Sequence, residues 1–212
     1  VADPRLAEEV LRELLEENEA DAWAAEELTR LREAFGDHRE VVVLLLRRAE
    51  AEGDADRAAQ LRSPITDGAA AMMICDPDFA SLHGMTPLAE IVGWSVVGSE
   101  PERATDAAIT ATRRALDGAG ISTEAVDLYD VHDSYASIGI AYERSLNISR
   151  DRLNVHGGGL ALGHPYGASG TRVAGTLINE LQRRGGGIGA GAIVSAGGLG
   201  AAVVLNVFPP AA

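Results

Sequence analysis

Apolar residues recur along this 212-residue chain with two different periods, and the change from one to the other falls near Ser63. Before it, Leu6, Val10, Leu14 and Leu15 stand at the spacing of one helix face. Asp3 ahead of Pro4 supplies a capping side chain and a proline at the first helical position. The pattern predicts a long helix that bends across the polar patch Glu16 to Asp21, takes up Trp23, Leu28, Leu31 and Phe35, and stops at Gly36. Asp37 with Glu40 then forms a capping box for a second helix through Val41 to Leu46. Residues 1–62 are therefore expected to form a helical hairpin. The unbroken apolar run Val41 to Leu46 is wider than one face of a surface helix needs, so the hairpin reads either as a layer on the main domain or as a docking element.

Beyond Ser63 short apolar runs alternate with helical patterns. Ala69 to Ile74 reads as a compact buried strand ending at Cys75, and Asp76-Pro77 opens a short helix that ends at Gly84. Pro87 to Val97 reads as a strand, and residues 103–117 as an alanine-rich helix closed by Gly118 and Gly120. A helical turn over Ser122 to Ala125 leads to a strand at Val126 to Val131 and a helix at Tyr135 to Leu146. After a glycine-dense loop come a helix over Ala168 to Arg184 and two strands, Gly191 to Ser195 and Ala201 to Val207. This order predicts an α/β layered domain with a central mixed sheet over residues 63–212, preceded by the helical segment 1–62.

Composition narrows the partners. The net charge is −14, from 32 acidic and 18 basic residues, and every basic residue is arginine. A negative field disfavours sequence-independent binding to nucleic acid, which draws on cationic side chains to displace counterions. No apolar run approaches the roughly 20 residues that cross a bilayer, and the amino terminus lacks a basic-then-apolar leader, so the expected compartment is the cytoplasm. One cysteine allows neither an internal disulfide nor a cysteine metal cluster, and no metal site is expected.

Chemistry concentrates in the loop Asn154 to Gly170. Its glycines let the backbone approach a ligand closely, and His164, between Gly163 and Pro165, is held on a stiff extended turn. Taken alone such a loop is as readily a packing device, with a structural histidine. His156 and His83 read as structural or solvent-facing.

Four motifs in order carry a resemblance. Thr66-Asp67-Gly68-Ala69-Ala70-Ala71, His132-Asp133-Ser134-Tyr135 at a strand-to-helix junction, Gly163-His164-Pro165, and Ser195-Ala196-Gly197-Gly198-Leu199-Gly200 are spaced as in the carboxy-terminal half of a thiolase, over about residues 64–207. The His-Asp motif is most similar to the sterol-carrier-protein type and to thiolase-like steroid side-chain aldolases. The resemblance implies that His164 activates a nucleophilic cysteine and that His132 helps to form an oxyanion hole for a coenzyme A thioester, with no tightly bound cofactor. It places Gly163, Gly197 and Gly198 at substrate-binding positions. Neutral imidazoles can donate to a thioester carbonyl as charge develops on its oxygen.

Two departures qualify it. Ser195 stands where thiolases carry a cysteine that moves the α-proton, and a hydroxyl is far less acidic than a thiol of pKa about 8.5. The amino-terminal thiolase half, with its acyl-accepting cysteine, has no counterpart in residues 1–62. Tyr135 reads either as a core aromatic or as a catalytic phenol, Tyr166 as a packing residue or a general acid or base, and Asp133 as the cap of the following helix or a catalytic carboxylate.

Three functions follow: a subunit that makes or breaks a C–C bond in a coenzyme A thioester with a partner chain completing the site; a cysteine-independent retro-aldol lyase of an acyl-CoA; or a non-catalytic thiolase-like scaffold. An acyltransferase or lyase within a complex is the favoured reading.

Overall fold

The computed structural model describes residues 4–18, 22–34 and 66–210. Helix α1 (Pro4–Glu17) carries its apolar stripe against α2 (Ala22–Ala34), where Leu11, Ala24 and Leu28 are buried and Leu14 and Leu15 pack beside them. Arg32 reaches back across the pair to Glu8. The polar patch expected to bend one long helix thus divides two helices that fold on each other. A lone amphipathic helix would leave its stripe in water, whereas reversal buries it. The helix expected at Asp37 to Leu46 lies outside the described residues.

The main domain is built on four strands, β1 (Ala89–Gly98), β2 (Leu128–His132), β3 (Gly187–Ser195) and β4 (Leu199–Val207), in the spatial order β1-β4-β3-β2. The β1–β4 and β3–β4 pairs are antiparallel and β2–β3 is parallel, so the sheet is mixed, as its sequence pattern predicts. Helix α3 (Pro77–Leu82) precedes β1, and between the strands lie α4 (Ala104–Ala119), α5 (Ala136–Leu146), the single turn α6 (Gly159–Leu162) and α7 (Ser169–Arg183).

Residue size sets how the layers meet. The buried stripe of α4 is mostly alanine, Ala107, Ala108, Ala111 and Ala115, which lets the helix ride close on the sheet. At the contact with β4 the strand carries Gly200, where a Cβ would stand 2.1 Å from the Ala108 nitrogen. The opposite sheet face is covered by α7 through Leu177, Ile178 and Leu181, which share a core with Leu128 of β2. Because side chains alternate along a strand, Tyr129 and Val131 enter the α4-side core instead. Every residue of β2 is buried as a result.

One expected strand does not form. Ala69 to Ile74 runs extended with no ladder, Met73 and Ile74 are 75% and 71% exposed, and Cys75, read as the buried end of that strand, is exposed. An apolar run becomes a strand only where a neighbouring strand pairs with its backbone, and this run joins none of the four strands of the sheet. The start of this segment meets the site loop instead: the Thr66 N–H donates to the His164 carbonyl at 3.3 Å.

Candidate functional site

Strand β2 points Leu128, Asp130 and His132 to the α7 side of the sheet, and His132 stands at its carboxyl end, where a parallel strand hands over to a loop. The outer edge of β2 is sealed by Asn154. Its side chain accepts from the Val131 N–H at 2.7 Å and donates to the Val131 carbonyl at 3.0 Å. The glycine-dense loop starts from this anchor.

That loop closes over His132. A Cβ on Gly159 would lie 2.9 Å from both Cε1 and Nδ1 of His132, so glycine is what lets backbone pack on the imidazole. The next turn carries Gly163 in the left-handed region, at φ 87, with its α-carbon against Thr66. His164 then lands with its ring centroid 4.1 Å from that of His132, the planes inclined by 39°. The two histidines lie 32 positions apart in sequence, the difference between 132 and 164, and only the loop brings them together.

Their surroundings differ. His132 is fully buried, and neither ring nitrogen has a hydrogen-bond partner among the described residues. Burial first, then His164 and Arg172, push its pKa down to about 4. His164 is half-buried, and its pKa is also lowered, by burial and then by Arg172. Both imidazoles are therefore neutral at pH 7. His164 Nδ1 lies 2.8 Å from the hydroxyl of Ser169, the first residue of α7. A hydroxyl both donates and accepts. Ser169 can thus hold either tautomer of His164, leaving Nε2 as a donor in one and a base in the other.

His164 faces an open cleft lined also by Tyr135, Tyr166, Ser195, Gly197 and Thr105. The Tyr166 ring sits 4.8 Å from the His164 ring, and its backbone holds φ 41, a left-handed geometry uncommon for a bulky residue. Tyr166 is 61% exposed and Tyr135 40%, so neither is a core aromatic. Ser195 ends β3, and Gly197 and Gly198 turn the chain into β4, both with positive φ. Gly198 serves packing there, since a Cβ on it would stand 2.2 Å from the Ser99 carbonyl.

Asp133 takes a place its sequence position does not announce. Instead of capping α5, which begins without a side-chain cap, its buried carboxylate accepts from the backbone N–H of Gly159 at 2.5 Å and of Leu160 at 3.3 Å. It pins the loop beneath His132. Burial pushes its pKa up to about 7, against the pull of those N–H groups. His156, read as structural, bonds to Glu180 at 2.9 Å.

Several contributors escape sequence reasoning. Ser169 is an ordinary helix-start residue until the fold places it, and Thr66 and Asn154 stand at the start of a motif and of the glycine-dense loop without a role that the sequence assigns. Asp130 and Arg172 do leave a signal: a carboxylate inside an apolar strand, and an arginine next to the buried positions Ser169 and Val173 of an amphipathic helix.

Residues 85–207 match the family model for the thiolase carboxy-terminal domain. Over 144 residues, 68% of the chain, the sequence is 42% identical to a mitochondrial 3-ketoacyl-CoA thiolase of Pongo abelii, covering 36% of that protein. Over the same length it is 40% identical to an acetyl-CoA acetyltransferase of Chromobacterium violaceum, covering 37% of it, and 38% identical to a cytosolic acetyl-CoA acetyltransferase of Rattus norvegicus, covering 36%. The solved structure of human mitochondrial 3-ketoacyl-CoA thiolase in complex with CoA superposes with a TM-score of 0.62 at 35% identity, covering 70% of this chain and 41% of that one. The chain thus spans little more than a third of the length of the curated relatives it matches.

Proposed function

The chain belongs to the thiolase family through its carboxy-terminal domain, and from that premise we propose that it makes or breaks the C–C bond next to the carbonyl of a coenzyme A thioester. The observation that carries this reading is the pair of neutral imidazoles, His132 and His164, 4.1 Å apart with His164 on the cleft wall. Breaking or making that bond passes through a thioester enolate, and a neutral imidazole that donates to the thioester oxygen stabilises the charge as it forms. His164 has the free nitrogen for this. His132, sealed behind it, acts through the ring it packs against. Gly163, Gly197 and Gly198 keep the loops around the thioester tight, and no tightly bound cofactor is required.

Retro-aldol cleavage is the second reading, favoured by Ser195, Tyr135 and Tyr166 lining one cleft with His164. A phenolate or imidazole takes the proton of a 3-hydroxyl group, the Cα–Cβ bond breaks, and its electrons enter the thioester carbonyl as the enolate. A second group then protonates Cα, giving a free carbonyl compound and a shortened acyl-CoA. No cysteine takes part. This reading places the chain in the sterol-carrier-protein and side-chain-aldolase branch to which its His132-Asp133 motif is similar.

Either reaction is proposed to need a partner chain that supplies the rest of the thiolase fold. Residues 1–62, whose described helices α1 and α2 form their own apolar cluster, are proposed as a unit separate from 63–212 that docks that partner. A cytosolic relative supports cytoplasmic placement, although mitochondrial relatives match as well.

The test is product analysis by mass spectrometry with a chain bearing an amino-terminal thiolase half. Cleavage of 3-oxoacyl-CoA that requires added coenzyme A identifies thiolysis. Cleavage of 3-hydroxyacyl-CoA without added coenzyme A identifies the lyase. Turnover unchanged in His164→Ala would refute both and leave a scaffold.

A further inference from the structure

One stretch of the described chain is apolar, unpaired and fastened to the site at its root. Ala69 to Ile74 joins none of the four strands, and Met72, Met73 and Ile74 are 40%, 75% and 71% exposed. The apolar surface continues over α3, where Phe79 and Leu82 are exposed and only Ala80 is buried. A patch of this kind marks a surface that another chain covers. Just ahead of the run the backbone is held in two places. Thr66 sets its side chain against Gly163 and donates its N–H to the His164 carbonyl at 3.3 Å, and a Cβ on Gly68 would stand 2.9 Å from Pro165. The chain contains a second stretch of the same pattern. Gly68-Ala69-Ala70 leads through apolar residues to Pro77, nine positions after the glycine, and Gly200-Ala201-Ala202 leads through mostly apolar residues to Pro209, also nine positions on. That second stretch lies on β4, which pairs on one side with β1 and on the other with β3. Its pattern is that of a central strand, and residues 69–74 have neither neighbour in the sheet.

We propose that residues 69–75 form a strand donated to a partner, filling a slot between two strands in the sheet of a thiolase-like amino-terminal half. The proposal rests on the reading of this chain as one half of a thioester-acting enzyme. The carboxy-terminal domain model begins only at residue 85, whereas the motifs shared with whole thiolases begin at about residue 64, so the stretch belongs to the family without belonging to that domain. Strand addition takes its affinity from main-chain hydrogen bonds and its register from alternate side chains. A second copy of this chain is a poorer seat, because Asn154 seals the outer edge of β2 and only the edge of β1 is open, whereas the β4 pattern calls for two neighbours. The root of the segment gives the donation its use. Since Thr66 and Gly68 are fastened to the loop of His164, a sheet seated on residues 69–75 arrives beside the cleft, where the other half of the site is needed. Register follows from the constant offset between the two stretches, 200 − 68 = 132 positions. It sets Ala70, Met72, Met73 and Cys75 on Ala202, Val204, Leu205 and Val207, all buried, and Ile74 on the half-buried Asn206.

Cys75, the one cysteine of the chain and exposed, reports on the slot directly. The full 212-residue chain is coexpressed with the amino-terminal half of the acetyl-CoA acetyltransferase of Chromobacterium violaceum in two forms, one ended ahead of the stretch that matches Thr66 and one continued through it. The first half has the slot open, and the second fills it with its own strand. Thiol labelling of Cys75 should slow by about tenfold or more with the first half and stay fast with the second, and the amides of residues 69–75 should gain matching protection from hydrogen exchange. Met73→Asn puts an amide at a buried position of the slot and should restore fast labelling in the complex, whereas Ile74→Asn reproduces the residue of β4 and should not. Both side chains are nearly equally exposed in the chain alone, so a patch that binds without register would treat the two variants alike. Fast labelling with the first half, equal protection by both halves, or equal behaviour of the two variants overturns the proposal. Protection of the chain alone that rises with its concentration also overturns it, by making a second copy the occupant. Turnover in an assembled enzyme whose Cys75 still reacts freely would reject the donated strand and leave the thioester reading standing, and protection without turnover would do the reverse.

Discussion

The two histidines of the site share one contact and live in opposite environments. His132 belongs to a buried row, Asp130 and His132 at the end of β2 and Asp133 just after it, where backbone packs directly on side chains and no group meets water. His164 belongs to an open rim with Tyr166 and Ser195, where its one fixed hydrogen bond is to a hydroxyl that accepts either tautomer. The row is built for rigidity and the rim for exchange. Preorganised sites require both, since a donor can stabilise developing charge only if its position is fixed before the charge appears.

If this division holds, substitutions at the rim reduce turnover and leave stability alone, whereas those in the row affect both. The largest effect expected is at the rim. In the assembled enzyme, His164→Ala should lower kcat by about 10²–10⁴-fold while the melting temperature stays within about 2 °C of the wild type. A large loss of melting temperature would merge rim and row.

Next comes the row. Gly159→Val sets a branched side chain where even a Cβ stands 2.9 Å from the His132 ring, and the expected cost is about 1–3 kcal/mol in urea denaturation, with turnover lost in parallel. Full activity with native stability would show that loop and ring are not in contact.

A subtler separation comes from pH. The folded-state pKa of Asp133 is raised to about 7, above its unfolded value, so the folded state binds the extra proton and stability falls as pH rises from about 4 to 7. His132, lowered to about 4, acts in the opposite sense: its contribution is present above the unfolded histidine pKa and is lost as pH falls from about 6.5 to 4. Asp133→Asn keeps an acceptor for Gly159 and Leu160 and removes one titration. Its stability relative to wild type should therefore rise between pH 4 and pH 7 in urea series at fixed ionic strength. A difference independent of pH would mean that Asp133 titrates as it does in water.

The smallest effect expected is Ser169→Ala, which removes the His164 partner without altering the loop. About 1 kcal/mol, or a fall of about 5-fold in kcat, should appear, together with a shift in the pH–rate profile. No change in that profile would make the Ser169 bond incidental.

Much of the scaffold was legible in the chain. The α4 and α7 helices, β1, β2 and the β3–β4 pair lie within a few residues of their expected bounds, because each carries its own periodicity and its own stop, such as Gly120 at φ 67 after α4. The four motifs identified His164, His132 and the Ser195 turn as the places to look. Ala69 to Ile74 has the unbroken apolar run of a buried strand, yet it pairs with no strand of the sheet, and pairing is a long-range outcome that a local run does not contain. Asp133 was misread as a cap of α5 because that helix is adjacent in sequence, while the N–H groups it binds lie 26 and 27 residues further on.

The sequence by itself determined α3, α4, α5 and α7, the four strands of the sheet, the glycines that permit close approach, and the four motifs, because these follow from side-chain shape, short-range periodicity and motif order. Only the tertiary structure decided which imidazole is sealed and which is open, that Arg172 meets Asp130 on the sheet face that carries His132, and that Tyr135 and Tyr166 meet the cleft instead of the core. Those outcomes depend on contacts between segments tens of residues apart, whose burial and charge no local pattern contains.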